Sequence, residues 1–493
     1  MFSILHISDL HRSSAEPFNN DALIAALVRD AVRYRMETPP ITSIDAIVVS
    51  GDVIQGLPVL PMSADASQWQ QGLQQQYEVA YEFLSQLVDR FLDGDRSQMV
   101  IVPGNHDICW NTSRRAMATV SPDSAKGGVG KALVEPESEY RWSWDELSLY
   151  KIVDTARYEQ RLDSYWAFAE RFYAGAALVR PINRAAGYNL FELDEGRILV
   201  AAFDSVAGND CFAFSGAFAR DAVARCAMEL HDLERVHDLR MAVWHHNTDG
   251  PPQRQDYMDV ARIHEMIGHG FRLGLHGHQH VAAAAAHYIH LPESQAMAVI
   301  SAGSLCAGAR ELPRGINRQY NLITLDDGRT AANVIVREMA EGNHFARKSD
   351  GPFAADGSIS LEWERPVDLA GRTADASRER LRQVIEKAEA MRAQGDPAGA
   401  LGALQGFELG PGSYERSLAI TLAAAAGRDT DLLAIIGTPA NENELVQGVL
   451  AALRDRKPEI AENMLALPIA ASLAAPVRAD LKGRITTYRA MNP

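Results

Sequence analysis

Five short polar clusters, each placed directly after a run of β-forming residues, constrain this chain more than any other feature. In order they are Asp9-x-His11, Gly51-Asp52, Gly104-Asn105-His106-Asp107, Trp244-His245-His246-Asn247 and Gly277-His278-Gln279-His280. The runs ahead of them, within residues 2–8, 44–50, 99–102, 241–244 and 272–275, are short and largely apolar, which is how strands covered on both faces read. Apolar residues at helical spacing over 21–34 and 77–91 separate the first three clusters. Strand–helix alternation of this kind predicts an α/β domain in which the residues just past the strand C-termini converge on one sheet edge. The five clusters are expected to meet there.

The residue types in the clusters point to a metal site. Carboxylate and amide oxygens mixed with imidazole nitrogens suit first-row divalent ions such as Mn, Fe, Zn or Co, and the lack of thiolate disfavours structural zinc. Taken singly, Asp-x-His and Gly-Asp are ordinary turn sequences, and Gly-Asn-His-Asp reads equally as a helix cap. In Gly-His-x-His, alternate residues face the same way if the strand continues. It is the five pieces together, all at strand ends, that predict the site.

In this combination the chain resembles the calcineurin-like metallophosphoesterase superfamily, over residues 1 to about 340. The resemblance implies a four-layer α/β/β/α sandwich with a binuclear metal centre at the sheet edge. One ion would be held by Asp9, His11, Asp52 and His280, the other by Asp52, Asn105, His245 and His278, with Asp52 bridging both. Two divalent ions are thus the implied cofactors, Mn first, with Fe, Zn or Co as alternatives. Such a pair polarises a phosphoryl oxygen and turns a shared water into hydroxide for in-line attack. The resemblance also makes His106 the group that donates to the leaving oxygen, with Asp107 orienting it. Arg12 is a candidate for substrate phosphate, as are Arg114, Arg115, Arg310, Arg314 and Arg318. His246 is expected behind the ligands in a supporting role, Asp204-Ser205 to support the site or close a turn, and His6 and His276 in the interior.

Block two narrows the reaction. Protein phosphatases of this superfamily carry Gly-Asp-x-Val-Asp-Arg-Gly and Gly-Asn-His-Glu, whereas here Gly51-Asp52-Val53-Ile54-Gln55-Gly56 and Gly-Asn-His-Asp stand in their place. The phosphate-binding arginine is missing, which argues against a Ser/Thr phosphatase and for a phosphodiesterase or nuclease. The formal charge of −16 repels a polyphosphate strand and favours a small phosphodiester or nucleotide. From Gly371 onward acidic and basic residues balance, so the whole excess belongs to the catalytic part. The alternative is a DNA or RNA nuclease working with a partner protein. Aromatic residues at 140–173 could then stack bases, although packing within their own cap is the plainer expectation.

Residues 1–345 are read as the phosphoesterase domain, with a helical, aromatic-rich cap inserted at about 110–186. Residues 346–373 read as a linker and 374–493 as an all-α domain with a repeat-like appearance. That Ala/Leu-rich region supports a third reading, an assembly protein whose tail docks a partner or a second copy and whose esterase is a regulated effector. Cys109, Cys211, Cys226 and Cys306 form no CxxC pair, and no run reaches the ~18 apolar residues of a spanning helix. A cytoplasmic protein without a membrane partner is expected.

Overall fold

In a computed structural model, the described residues are all except 15–18, 126–127, 135–137, 232, 234–235, 249–255, 291–293, 309–310, 341, 349–356, 364–375, 408, 411–412, 474 and 492–493. The chain divides into two units, Met1–Tyr288 with Ala296–Val367, and Ile289–Gln295 with Asp368–Pro493.

The first unit is built on two mixed sheets. Strand Phe2–Ile7, buried along its whole length, lies inside one of them. It pairs parallel with Ala46–Val49 and antiparallel with Gln319–Leu325. Met99–Ile101 extends the parallel side, while Ala331–Ala340, His344–Arg347 and Ser358–Glu362 extend the other. The second sheet runs Ala283–His290, Ser294–Ser301, Leu273–His276, Leu239–Val243, Ile198–Phe203, Tyr188–Leu193 in spatial order. Its four middle strands are mutually parallel. Ile4, Ile47, Val200, Val243 and Leu275 share one core, so the two sheets form the expected sandwich.

Helices Asn20–Ala31 and Ala66–Phe91 make the connections between the parallel strands. The second begins well before the expected residue 77, because Asp65 caps it through the Ser67 backbone N–H and Trp69 and Leu73 already bury against the core. Since Phe2–Ile7, Ala46–Val49 and Met99–Ile101 run in one direction, the clusters after them emerge at the same edge. Backbone bonds hold them there: Asp9 N–H donates to Gly51 O at 3.1 Å and His11 N–H to Asp52 O at 3.0 Å.

The inserted segment differs from the helical cap expected. It contains a three-stranded antiparallel sheet of Met117–Val120, Ser148–Ile152 and Tyr140–Ser143. Aromatics at 140, 142 and 150 sit at even spacing, the period of a strand rather than a helix. Only further on, at Asp163–Phe172, does a longer helix form, and its Tyr165, Trp166, Phe168 and Phe172 are buried in the main core. They pack the interior rather than offering faces to a ligand.

In the second unit, helices Ala376–Ala393, Pro397–Ala403, Tyr414–Ala425, Asp429–Ile436, Glu442–Arg454, Pro458–Leu465 and Ala475–Met491 follow one another, each packed on the next. Leu418, Leu422, Leu432, Leu445 and Val449 belong to a core of this unit's own. The buried Arg416 guanidinium is paired with Glu444 at 3.0 Å and donates to Ile436 O at 2.6 Å. Among the described residues, no helix is long and apolar enough to cross a membrane.

Candidate metal centre

The sequence-predicted ligands come together in two groups. In the first, His280 Nε2 lies 3.2 Å from Asp9 Oδ1 and 3.2 Å from His11 Nε2, and His11 Nε2 is 3.9 Å from Asp52 Oδ2. In the second, His245 Nε2 lies 3.3 Å from Asp52 Oδ2 and 3.0 Å from Asn105 Oδ1. His278 Nδ1 approaches Asn105 Oδ1 at 3.0 Å and His245 Nε2 at 3.3 Å. Asp52 faces both groups. Asp9, His11, Asp52, His278 and His280 all adopt positive φ, between 44° and 75°. Such strain costs ~1–3 kcal/mol per residue and persists where surrounding structure enforces it, typically at functional sites.

Glycines let the clusters close. A Cβ on Gly104 would overlap the Asp52 carboxylate and backbone nitrogen, and one on Gly51, at φ +99°, would run into the His245 ring. Ser205 Oγ accepts the backbone N–H groups of His245 and His246 at 3.1 and 3.2 Å, which gives that serine the supporting role considered for it. Its neighbour Asp204 closes a turn through the Val206 N–H.

The charges in this edge are strongly coupled. Burial opposes ionisation of Asp9, but the His280 and His245 imidazoles outweigh it and hold the carboxyl below the usual range. Asp52 is likewise held well below, against its burial, by His245 and His106. Burial works against a charged His245 too, yet the Asp52 carboxylate raises it to about 9. His280 is raised by Asp9 in the same way, while burial drives His11 down to about 4.

The donor set fits divalent ions. His245 Nδ1 is 2.8 Å from Ser50 O and His280 Nδ1 is 2.9 Å from Glu311 O. A carbonyl only accepts, so each Nδ1 carries a proton and Nε2 is the nitrogen left facing inward for a metal once its own proton is displaced, the arrangement that orients metal-binding imidazoles. Among the described residues, buried Asp9 Oδ1 is approached by His280 Nε2 but makes no hydrogen bond. Asp9 with His11 and His280, Asp9 with Asp52 and His245, and His11 with Asp52 and His106 each bring three ligand atoms within 4.8 Å of one another.

Three expectations change. Arg12 is 1% exposed: its guanidinium donates to Asn20 Oδ1 at 2.7 Å and to Cys306 Sγ at 2.9 Å, and lies over the Phe83 ring. It is not placed to meet a phosphate. After the left-handed His11, Arg12 forms an isolated parallel bridge with Ile54 outside the strands. Among the described residues, the Asp107 carboxylate makes its hydrogen bonds away from the His106 imidazole. Its Oδ2 accepts from Gly104 N–H at 2.8 Å and Val53 N–H at 3.1 Å, and its Oδ1 from the Tyr77 hydroxyl at 3.1 Å, so it braces the turn. Burial and the Asp52 charge raise it to about 7. The His106 ring is oriented instead by Gln55 O, 2.7 Å from Nδ1. Finally, Arg114 lies over Tyr150 and Arg115 over Trp69, so both serve packing, while Arg310 falls outside the described residues.

His246 is buried behind the cluster, bonded to Ser205 Oγ at 2.9 Å and Asn209 Oδ1 at 3.0 Å, with its ring 4.7 Å from that of His278. His6 and His276 are interior, as expected. The residues that sequence reasoning missed are Gln55, Ser50 and Glu311, which act through backbone carbonyls that no residue type announces. Gln55 and Glu311 are also joined side chain to side chain, Nε2 to Oε1 at 2.6 Å.

A two-sheet sandwich with this cluster at its edge is the arrangement that the resemblance to metallophosphoesterases implied. The family description of calcineurin-like phosphoesterases matches residues 2–282, more than half of the chain, and the chain belongs to that family. Membership implies a hydrolase of phosphate esters that uses divalent metal ions. No curated protein matches the chain significantly. Among solved structures, a dimetal phosphatase from Danio rerio is 11% identical, covering 74% of this chain and 99% of its own, with a TM-score of 0.39. The 5'-nucleotidase from Candida albicans is 12% identical over 69% of this chain and 52% of its own, with a TM-score of 0.31. The calcineurin-like phosphoesterase YfkN from Bacillus subtilis is 12% identical over 76% and 94%, with a TM-score of 0.28.

Proposed function

We propose that the chain is a binuclear phosphodiesterase acting on a small phosphodiester or nucleotide. The observation that carries this reading is Asp52, placed between Asp9, His11 and His280 on one side and Asn105, His245 and His278 on the other. Two divalent ions held there, with manganese proposed, would polarise the phosphoryl group and supply a nucleophile near neutral pH. Asp9 and Asp52, kept ionised by the surrounding imidazoles, provide the anionic charge that two dications require. His106, oriented through Nδ1 by Gln55 O, directs Nε2 to the leaving oxygen and donates a proton there.

A diester is favoured over a monoester by the arginines. At block two Gln55 stands where phosphatases of this superfamily carry the phosphate-binding arginine, and Arg12, Arg114 and Arg115 are engaged in packing and hydrogen bonds, which weighs against the bidentate grip that a monoester dianion rewards. We assign 1–345 to catalysis and 374–493 to association with a protein partner or a second copy, in keeping with the separate helical core of the second unit. A reducing, cytoplasmic setting suits cysteines at 109, 211, 226 and 306 that form no disulfide among the described residues. The test is turnover of bis-p-nitrophenyl phosphate against p-nitrophenyl phosphate with manganese. Preference for the diester is expected, and preference for the monoester overturns the reading. Salt-sensitive cleavage of a labelled oligonucleotide in preference to small diesters would make the chain a nuclease instead.

A further inference from the structure

Beside His106 the surface carries two aromatic rings that the reaction so far leaves unused. The Trp110 ring is half-buried, with its centroid 6.3 Å from that of His106. Phe214 lies 5.9 Å beyond it, close to edge-on, and is 43% exposed. A phenyl group left this open loses burial energy for which the fold gives no return.

Phe214 is nonetheless firmly held. Its loop is tied by Asn209, whose Nδ2 donates to Ser215 O and whose Oδ1 meets His246 Nε2 at 3.0 Å, beside the metal centre. Asp210 N–H donates to Ala213 O at 2.9 Å, and Asp210 Oδ1 accepts from the N–H groups of Phe212 and Ala213 at 2.8 and 3.0 Å. Phe212 packs inward, stacked on Tyr150 at 4.8 Å, while Phe214 two residues on faces out. Trp110 follows Cys109, whose N–H is fixed on Arg161 O at 2.8 Å. Both rings therefore stand on rigid supports next to the group that meets the leaving oxygen.

We infer that Trp110 and Phe214 form a leaving-group subsite that takes a flat aromatic ring, a nucleobase joined to the leaving oxygen through its sugar. This rests on the phosphodiesterase reading and names its substrate class. Stacking recognises the face every base offers, and so suits a site that takes small nucleotides without a basic track.

The test uses full-length protein with manganese. A dinucleoside monophosphate and a 3′,5′-cyclic nucleotide bring the ring from two sources, and glycerophosphocholine brings none. Trp110→Ala and Phe214→Ala should each lower the ratio of kcat/KM for the nucleoside substrates over glycerophosphocholine about tenfold, mainly through KM, and Trp110→Phe should restore most of it. Whichever nucleoside substrate shows the larger fall identifies the source. A ratio that stays put, or rises because the choline substrate suffers more, overturns the subsite. A second measurement is independent of turnover: equilibrium dialysis of metal-free protein with adenosine monophosphate and ribose 5-phosphate. Wild type should prefer the nucleotide about tenfold and Phe214→Ala should lose that preference; an equal preference in both overturns the subsite. If wild type cleaves none of the three diesters, the phosphodiesterase reading fails while dialysis still decides the subsite.

Discussion

The imidazole Nδ1 of His106 sits 2.7 Å from the backbone carbonyl oxygen of Gln55. That contact fixes which nitrogen faces substrate, and it separates two residues that are neighbours in sequence. His106→Ala should lower kcat about 10²- to 10⁴-fold, the usual worth of a positioned proton donor. Both ions should still load on metal analysis, because the His106 backbone N–H, which donates to Asp52 Oδ1 at 2.8 Å, survives the change. Asp107→Asn should act differently, lowering the melting temperature by several degrees through the Gly104, Val53 and Tyr77 bonds while leaving the pH profile of kcat in place. A kcat loss as large as that of His106→Ala at unchanged melting temperature would return Asp107 to the proton-donating machinery.

Metal uptake should release protons. With His245 raised to about 9 by Asp52, the metal-free protein holds a proton on that imidazole at pH 7, and coordination through Nε2 must displace it. Apparent manganese affinity should therefore climb at least about tenfold per pH unit from 7 towards 9, then level off, as the His245 proton is lost. Competition titrations at several pH values check the slope, and calorimetry in buffers of different ionisation enthalpy counts the protons. A flat profile across that range means that His245 is already neutral. Chelation should abolish phosphoesterase activity and added manganese should restore it.

The five clusters were legible because each is written in residues that cannot be mistaken for strand interior and that sit directly after one. That Asp9, Asp52, Asn105, His245, His278 and His280 would meet followed from the rule that parallel strands share an edge, while their individual assignment as ligands came with the family resemblance. What escaped was carried by backbone. Gln55 and Glu311 contribute carbonyls, which every residue has. Arg12 looked available because it follows His11, yet the φ of 44° at His11 sends the next side chain inward, and a left-handed histidine has no sequence mark. The hairpin through Trp142 and Tyr150 was missed for another reason: its aromatics dominate the composition there, and their alternation is the signal that composition hides.

Acid should weaken the first unit through His6. Burial, reinforced by His276, depresses this imidazole from its ordinary 6.5 to about 3. The folded protein thus favours the neutral ring bonded to Ser50 Oγ at 2.9 Å, while the unfolded chain binds a proton from about pH 6.5 downward. The stability is present above 6.5 and is lost progressively as pH falls towards 3. At pH 5 the loss from this residue is about 2 kcal/mol, 1.5 pH units below the unfolded value. Urea denaturation of chelated wild type and His6→Gln at pH 7.5 and 5 measures it as the difference between the two falls. Equal falls would mean that His6 is protonated alike in both states.

Gly104 offers a steric test of the bridging position. Its backbone is extended, at φ −115° and ψ −179°, a conformation that alanine adopts without strain, so Gly104→Ala changes only what its new methyl touches. That methyl would collide with the Asp52 carboxylate and backbone nitrogen, which are held from several sides and cannot yield cheaply. The variant should lose about 1–3 kcal/mol of stability, as overpacked positions do. It should also bind manganese far more weakly in both halves of the site, because Asp52 faces both. Gly94→Ala is the control: at φ +85° with nothing within 4 Å of the added carbon, it costs backbone strain of about 1 kcal/mol and leaves metal uptake intact. Metal analysis of the two proteins after loading and desalting separates the cases. Were Gly104→Ala to keep a full complement of ions, Asp52 could not be the group shared between them, since no arrangement that spares both halves leaves room for the methyl beside its carboxylate.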